Sequence, residues 1–271
     1  MANSSMANLE TITTEMVKEL RDTTGISIMQ CRRALLEAEG DIKKALLILK
    51  KTSSEIALKK GDREVKDGAV VIKKSPDSRK AVLVSLLCET DFVSKNEDFL
   101  ALLQKLADEA LARGVDGIDT MRTDAKEMIN PVIQKTGENI KLGEAYLVAG
   151  ENLGTYVHNN KIAVVVSLRG GDESLARDVA MHIAAMKPEY LSAEDIDAET
   201  QKTMSEVFAK EMAEVKKPAE IKQKILTGKL SAYFQEKTLL SQQFIKDPAL
   251  SVGELLQNRK AELLEVKSYF I

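Results

Sequence analysis

The sequence predicts an α+β fold with a duplicated core, and three features of the chain support this prediction. Residues 81–86 read Ala-Val-Leu-Val-Ser-Leu and residues 163–168 read Ala-Val-Val-Val-Ser-Leu; each segment follows a Gly-x-x-Val element and precedes a helical pattern. Residues 9–50 carry the apolar spacing of short helices. Residues 192–237 have narrow apolar stripes around a proline, which is typical of a protruding helical hairpin. We therefore expect small antiparallel sheets with packed helices and an inserted hairpin.

Short helices with clear end signals are predicted near the start of the chain. Residues 1–8 show no apolar periodicity, and we expect a disordered leader there. In residues 9–58, Thr13 or Thr14 is expected to cap the first of three helices, and Asp41 is expected to cap the third. Such short helices bury little surface alone, so they are expected to share one small core.

The rest of the chain is predicted to contain a linker, two related half-domains and the hairpin. The linker is a charged stretch without apolar periodicity. Each half-domain begins with a pair of strands and continues into a helix. A further helix over residues 123–136 is expected to be interrupted at Pro131, because proline has no N–H to donate. The predicted boundaries are residues 59–67 for the linker, 68–151 for the first half-domain, 152–191 with 238–271 for the second, and 192–237 for the hairpin.

Composition and charge argue against several classes of protein. Thirty-nine basic and forty-two acidic side chains give a net charge of −3, which argues against a general nucleic-acid binder. No apolar run approaches the roughly 20 residues of a membrane-spanning helix, and the first residues lack the features of a signal peptide. Cys31 and Cys88 lack the spacing of metal ligands, and we expect buried, reduced thiols, which favours a cytoplasmic protein.

No catalytic or cofactor-binding motif stands out in the sequence. The Gly-Lys pair at residues 228–229 lacks the upstream glycine of a phosphate-binding loop, and the Gly-Gly pair at residues 170–171 lacks the spacing of a dinucleotide-binding turn. With two histidines in the chain, a histidine-based metal site is not expected. His182 is predicted to be a partly buried helix residue, and His158 a surface residue at a turn. We therefore predict no catalytic residues, no metal and no cofactor.

The two copies of the repeat leave their second strands differently. The second copy ends in a glycine turn, whereas the first continues through Thr90, Asp91, Phe92 and Val93. Two interpretations stay open here. Asp91 could cap the next helix while Phe92 packs on the sheet, or the pair could be an exposed wedge that enters another protein. A third interpretation, an acid–base enzyme that uses Asp91, lacks a second titratable group within sequence reach.

Several short segments of the chain together carry a resemblance to a known family of proteins. They are Arg21-Asp22-Thr23-Thr24-Gly25 with Met29-Gln30-Cys31-Arg32-Arg33-Ala34-Leu35 and Glu39-Gly40-Asp41, then Cys88-Glu89-Thr90-Asp91-Phe92-Val93, Lys135-Thr136-Gly137-Glu138-Asn139-Ile140 and Met181-His182-Ile183-Ala184-Ala185-Met186-Lys187-Pro188. Together they resemble bacterial elongation factor Ts over about residues 9–260. The resemblance implies a ubiquitin-associated-like N-terminal domain, followed by two related half-domains with an inserted hairpin.

The resemblance also implies a function and a set of contact residues. The implied function is guanine-nucleotide exchange on elongation factor Tu, without covalent chemistry and without direct contact with nucleic acid or a membrane. The C-terminal half and the base of the hairpin would hold other domains of that partner. The implied contacts with its GTPase domain are Thr90, Asp91, Phe92 and Val93 near the magnesium site, Arg21, Ile28 and Met29 on the N-terminal unit, and His158 near the phosphate loop.

The chain departs from the family pattern, and two alternatives stay open. Ile28 stands where the family often has Met, while Asn159 and Ala163 stand where it often has Gly, so the turn beside them is expected to differ in geometry. The C-terminal end lacks the usual Gly-Glu-Gly. The hairpin at residues 192–237 could form a coiled coil between two copies or pack on itself. Residues 9–50 could instead belong to a scaffold that binds ubiquitin-like or translational partners.

Overall fold

The computed structural model describes residues 12–114, 117–213 and 217–271, and within them it confirms the predicted α+β fold. Helices pack against small antiparallel sheets. The predicted leader at residues 1–8 lies outside the described residues.

Three helices near the start of the described chain share one small core. Thr13 caps the first helix and Asp41 caps the third, each by accepting a hydrogen bond from the backbone N–H three residues later. Gly25 ends the first helix in the left-handed conformation, with φ of 67°. Leu20 and Leu35 are fully buried in this core. The helices are α1 Thr14–Thr24, α2 Ile28–Glu37 and α3 Ile42–Lys60.

The third helix is longer than its apolar pattern indicates. It continues through Lys60, and the first strand begins at Asp67, so both ends of the charged stretch at residues 59–67 belong to regular elements. Polar contacts with residues later in the chain hold the second half of this helix. The buried hydroxyl of Ser53 donates a hydrogen bond to Gln134, and Lys60 donates one to the Gly137 carbonyl. Contacts of this kind leave no trace in the local periodicity of the sequence.

Two three-stranded antiparallel sheets form the centre of the described structure. A shared apolar cluster joins them, and it includes Val70, Leu83 and Val165. The first sheet has the order β1 Asp67–Lys74, β2 Lys80–Cys88 and β3 Lys141–Ala149, and the second has the order β4 Asn152–His158, β5 Ile162–Arg169 and β8 Glu262–Phe270.

Helices pack against both sheets, and one of them corrects a prediction. The helix that contains Pro131 is continuous, whereas the sequence predicted an interruption there. Proline removes one backbone hydrogen bond, but this helix buries Met121, Ala125, Ile129 and Ile133 in the core, and that burial outweighs the loss. The core helices are α4 Asp91–Ser94, α5 Glu97–Arg113, α6 Ile118–Thr136 and α7 Glu173–Met186.

Two further helices pack against each other as a hairpin. They are antiparallel, because Phe208 stacks edge-on against Tyr233 at 5.6 Å between ring centres, and Glu211 pairs with Lys229 at 2.8 Å. The remaining elements are α8 Ala198–Ala213 and α9 Ala219–Lys237 of this hairpin, followed by β6 Gln243–Phe244, β7 Asp247–Ser251 and α10 Val252–Asn258.

Candidate functional site

The segment after β2 presents one large apolar side chain to solvent. Phe92 lies in the four-residue helix α4, and its side chain is 83% exposed, whereas the next residues, Val93 and Ser94, are buried. The interpretation in which Phe92 packs on the sheet is therefore wrong. So is the role of Asp91 as a cap, because Thr90 occupies the N-cap position and Asp91 is the first helical residue. The short helix anchors itself through Val93 and Ser94 and points Phe92 outward.

Asp91 pairs with a lysine one turn further along the chain. The Nζ atom of Lys95 lies 2.7 Å from Oδ2 of Asp91, and both side chains are exposed. A second titratable group is therefore within sequence reach, contrary to the expectation. The hydrogen bond with Asp91 raises the pKa of Lys95, so the lysine stays protonated near neutral pH and is a poor proton acceptor. This pair does not resemble an acid–base site.

His158 lies at the end of β4, on an exposed turn. Its ring nitrogens are 3.3 Å from the Tyr156 hydroxyl and 3.3 Å from the Asn159 side-chain nitrogen. Asn159 and Asn160 both adopt the left-handed conformation, with φ of 50° and 55°. Asparagine tolerates this conformation better than most residues, so the turn forms without the glycine that the family often has.

The half-buried side chain of Lys161 joins this turn to α4. The Nζ atom of Lys161 donates hydrogen bonds to Asp67 Oδ1 at 2.5 Å and to the Gly68 carbonyl at 2.6 Å, and it lies 3.4 Å from the Ser94 hydroxyl. Burial alone would raise the pKa of Asp67, but the hydrogen bonds from Lys161, Ser94 and the Gly68 amide lower it below its ordinary value. The predicted contact residues Phe92 and His158 are thus carried by elements that are tied together at their bases.

Sequence reasoning missed both residues that tie down these elements. Lys161 bonds to a residue 94 positions away, and Glu138 bonds to the segment before α4 across 48 positions. Only the family segment that contains Glu138 marked it for attention, and nothing in the local pattern marked Lys161.

The predicted contact residues on the N-terminal unit form a separate surface. Arg21 lies in the last turn of α1, and Ile28 and Met29 begin α2. Ile28 is 51% exposed and Met29 is 75% exposed, although both are apolar. Two adjacent apolar side chains exposed to solvent at the start of a helix form the kind of apolar surface that a protein partner covers.

Other chemically interesting residues serve the core. His182 is fully buried; its Nε2 lies 2.9 Å from Gln242 Oε1, and its Nδ1 accepts from the Ile245 N–H at 3.2 Å. Burial lowers the pKa of this imidazole, against a smaller opposite effect of Gln242. Cys31 and Cys88 are buried free thiols, as predicted, and burial raises the pKa of Cys88 to about 12.

Neither a metal site nor a membrane-spanning helix is found in the part of the chain that the structure describes. They contain no group of three or more histidine, cysteine, aspartate or glutamate side chains placed to hold a metal ion. No helix in the described ranges has the length and apolar character needed to cross a membrane.

The chain is similar to known proteins over nearly its whole length. A family model described as Elongation factor TS matches residues 89–271. The protein named Elongation factor Ts from Hahella chejuensis is 40% identical over 260 residues, which cover 95% of this chain and 91% of that protein. The corresponding proteins from Psychromonas ingrahamii and Yersinia pestis are 38% and 37% identical, over 94% and 93% of this chain and 88% and 89% of theirs. The chain therefore belongs to the elongation factor Ts family of translation elongation factors.

Proposed function

We propose that this protein is a guanine-nucleotide exchange factor for elongation factor Tu in the cytoplasm, and that Phe92 with Asp91 is the wedge that promotes GDP release. The observation that carries the proposal is the 83% exposure of Phe92 beside the buried residues Val93 and Ser94. A large aromatic side chain on a firmly held turn can enter another protein with little loss of conformational entropy. No covalent step is required of this chain.

The mechanism is a competition between two ligands for one partner. A bound diphosphate is held by backbone amides of a phosphate loop and by a bridging metal ion. A ring inserted beside the metal displaces the elements that coordinate it. The Asp91 carboxylate would repel phosphate only when its exposed ion pair with Lys95 opens. Because GDP and the wedge favour different conformations of elongation factor Tu, each weakens the binding of the other by the same factor at equilibrium. Nucleotide release follows from this coupling.

Other surfaces of the chain would supply affinity. We assign Arg21, Ile28 and Met29 to a contact between the N-terminal helices, in a ubiquitin-associated-like arrangement, and the GTPase domain of the partner. His158 would contact the same domain near its phosphate loop. The similar order of strands and helices in the two sheets supports the proposed duplication of the core.

The hairpin α8–α9 is the proposed site of association between two copies of the complex. Its aromatic side chains Phe208 and Tyr233 contact each other within one copy. Val207 and Ile221 are 42% and 45% exposed, and they provide the apolar surface for a second copy.

Stopped-flow release of a fluorescent GDP analogue from elongation factor Tu tests the function. Acceleration that rises with the concentration of this protein supports exchange. A folded Asp91→Ala, Phe92→Ala double variant is expected to lose most of the acceleration. Unchanged acceleration in that variant would exclude the wedge. Binding without any acceleration by the unaltered protein would instead favour the scaffold interpretation of residues 9–50.

A further inference from the structure

Glu138 holds the segment that leads into α4. It lies in the turn between α6 and β3 and is partly buried. One carboxylate oxygen accepts hydrogen bonds from the backbone N–H groups of Glu89 and Thr90, both at 3.0 Å. The other oxygen accepts from the Thr90 hydroxyl at 2.5 Å. Among the described residues, no lysine or arginine forms an ion pair with Glu138, so these three donors are its partners.

The segment that leads into α4 also accepts a hydrogen bond from the turn that contains Glu138. The side chain of Glu89 accepts a hydrogen bond from the backbone N–H of Asn139 at 2.6 Å. Asn139 is itself buried, and its side-chain amide donates to the Arg63 carbonyl at 2.6 Å. Two neighbouring residues of one turn therefore bind two neighbouring residues of the other. Such a bidentate arrangement fixes direction as well as distance.

The side chain of Thr90 does not cap α4. Threonine at an N-cap position usually accepts a hydrogen bond from its own helix, which stabilises that helix. Here the Thr90 side chain makes no such bond, and its hydroxyl donates to Glu138 instead. A helix of four residues has little stability of its own. The orientation of α4 is therefore set by contacts outside its own backbone. Glu138 holds the residues that lead into the helix, while Val93 and Ser94 are buried within it.

We propose that Glu138 is a positioning residue for nucleotide exchange: it fixes the direction in which α4 presents Phe92. This inference rests on the proposed function, because it assigns a role to Glu138 in the action of the wedge. Misplacement of a group by about 1 Å can cost up to about a hundredfold in rate. Glu138 is thus expected to affect the rate of nucleotide release without contacting the partner.

The test compares Glu138→Gln with Thr90→Val, and uses Glu144→Gln as the matched control. Glu144 lies in β3, where its carboxylate pairs with Arg122 at 3.3 Å, away from α4. Glutamine keeps the shape of glutamate but is neutral, so the hydrogen bonds that it accepts are weaker, and its NH2 group can only donate toward the Thr90 hydroxyl. We expect Glu138→Gln to slow GDP release at saturating factor about tenfold, Thr90→Val to slow it less, and Glu144→Gln to leave it unchanged.

Combination with Phe92→Ala separates positioning from a general structural effect. If Glu138 acts through Phe92, then Glu138→Gln causes no additional slowing in the Phe92→Ala background. The same tenfold loss in both backgrounds would overturn the proposal, and so would wild-type release rates in a folded Glu138→Gln variant. If the unaltered protein gives no acceleration, the proposed function fails by itself.

Amide hydrogen exchange tests the hydrogen bonds between Glu138 and the segment before α4 independently of any partner. Glu138→Gln is expected to accelerate exchange at Glu89 and Thr90 while the amides of β2 keep their protection. Unchanged protection at Thr90 would overturn the role of Glu138 whether or not the protein promotes nucleotide release.

Discussion

The central strands of the two sheets, β2 and β5, are both buried, and both lead into a helix that packs on its own sheet, but the chain leaves them differently. After β5, Gly170 and Gly171 turn the chain with φ of 70° and 66°, and Asp172 caps α7 by accepting from the Leu175 N–H at 2.8 Å. After β2, the chain forms α4 before the long helix begins, and the cap residue Thr90 bonds to Glu138.

The difference separates a turn whose cap residue bonds to its own helix from one whose cap residue bonds to a distant turn. The turn after β5 packs closely against the start of α7, since a Cβ on Gly171 would lie 2.9 Å from the Leu175 side chain. The turn after β2 is fixed by Glu138 and Lys161 at its base, and this leaves Phe92 uncovered. Anchoring at the base is what allows a short segment to expose a large apolar side chain in a defined direction.

The largest expected effect is on stability, at the packing of the second sheet. A Cβ at Gly154 in β4 would collide with the backbone of Ala176 and Arg177 in α7. Gly154→Ala is therefore expected to destabilise the protein by about 3 kcal/mol in denaturant unfolding. Gly228→Ala in α9 is the matched control, because the added methyl group would meet no atom within 4 Å apart from the adjacent backbone of its own helix. A stable Gly154→Ala variant would contradict the tight packing of α7 on β4.

Phe92→Ala tests the role of the exposed side chain after β2. Because Phe92 is 83% exposed, its removal is expected to leave the free energy of unfolding nearly unchanged. Loss of a central aromatic contact with the partner is expected to raise the barrier to nucleotide release by about 2 kcal/mol. Release would then be about 30-fold slower. Leu58→Ala, at an equally exposed position of 81%, is the control and is expected to have no effect on release. Equal effects of the two substitutions would contradict a specific role of Phe92.

Lys161→Met removes the tie between the two sheets at the base of α4. Loss of the ion pair with Asp67 is expected to lower the free energy of unfolding by about 1 kcal/mol at neutral pH. Since the pKa of Asp67 is lower in the folded state than the unfolded value of about 3.9, this stabilisation is complete above that value and is lost as the pH falls through the folded pKa. The wild-type protein and the variant should therefore converge in stability in acid. A difference in stability that does not shrink as the pH falls below about 3.9 would contradict the pairing.

The smallest expected effect concerns Asp172, the counterpart of Thr90 after β5. Asp172→Ala removes the cap of α7 and the ion pair with Arg259 at 2.8 Å, so the melting temperature is expected to fall slightly. Nucleotide release should not change, because this turn presents no wedge. Slower release in Asp172→Ala, in a protein that remains folded, would remove the functional distinction between the two turns.

Elements with local signals could be predicted from the sequence, and contacts across the chain could not. The caps Thr13 and Asp41 and the stop at Gly25 are local, and the structure places them where the pattern did. The continuity of the helix at Pro131 could not be predicted, because the local effect of proline takes no account of the apolar side chains that α6 buries in the core. Whether Phe92 is buried on the sheet or exposed to solvent depends on the orientation of α4. The local sequence is compatible with both alternatives.

The coupling between binding of this protein and binding of GDP shows whether Phe92 acts as the wedge. The measurement is the affinity of this protein, unaltered and as Phe92→Ala, for elongation factor Tu with and without bound GDP. We predict that GDP weakens binding of the unaltered protein strongly. Phe92→Ala should bind the nucleotide-free form less tightly and the GDP-bound form almost as before, so the ratio of the two affinities falls at least about tenfold. An unchanged ratio would contradict the role of Phe92 as the wedge.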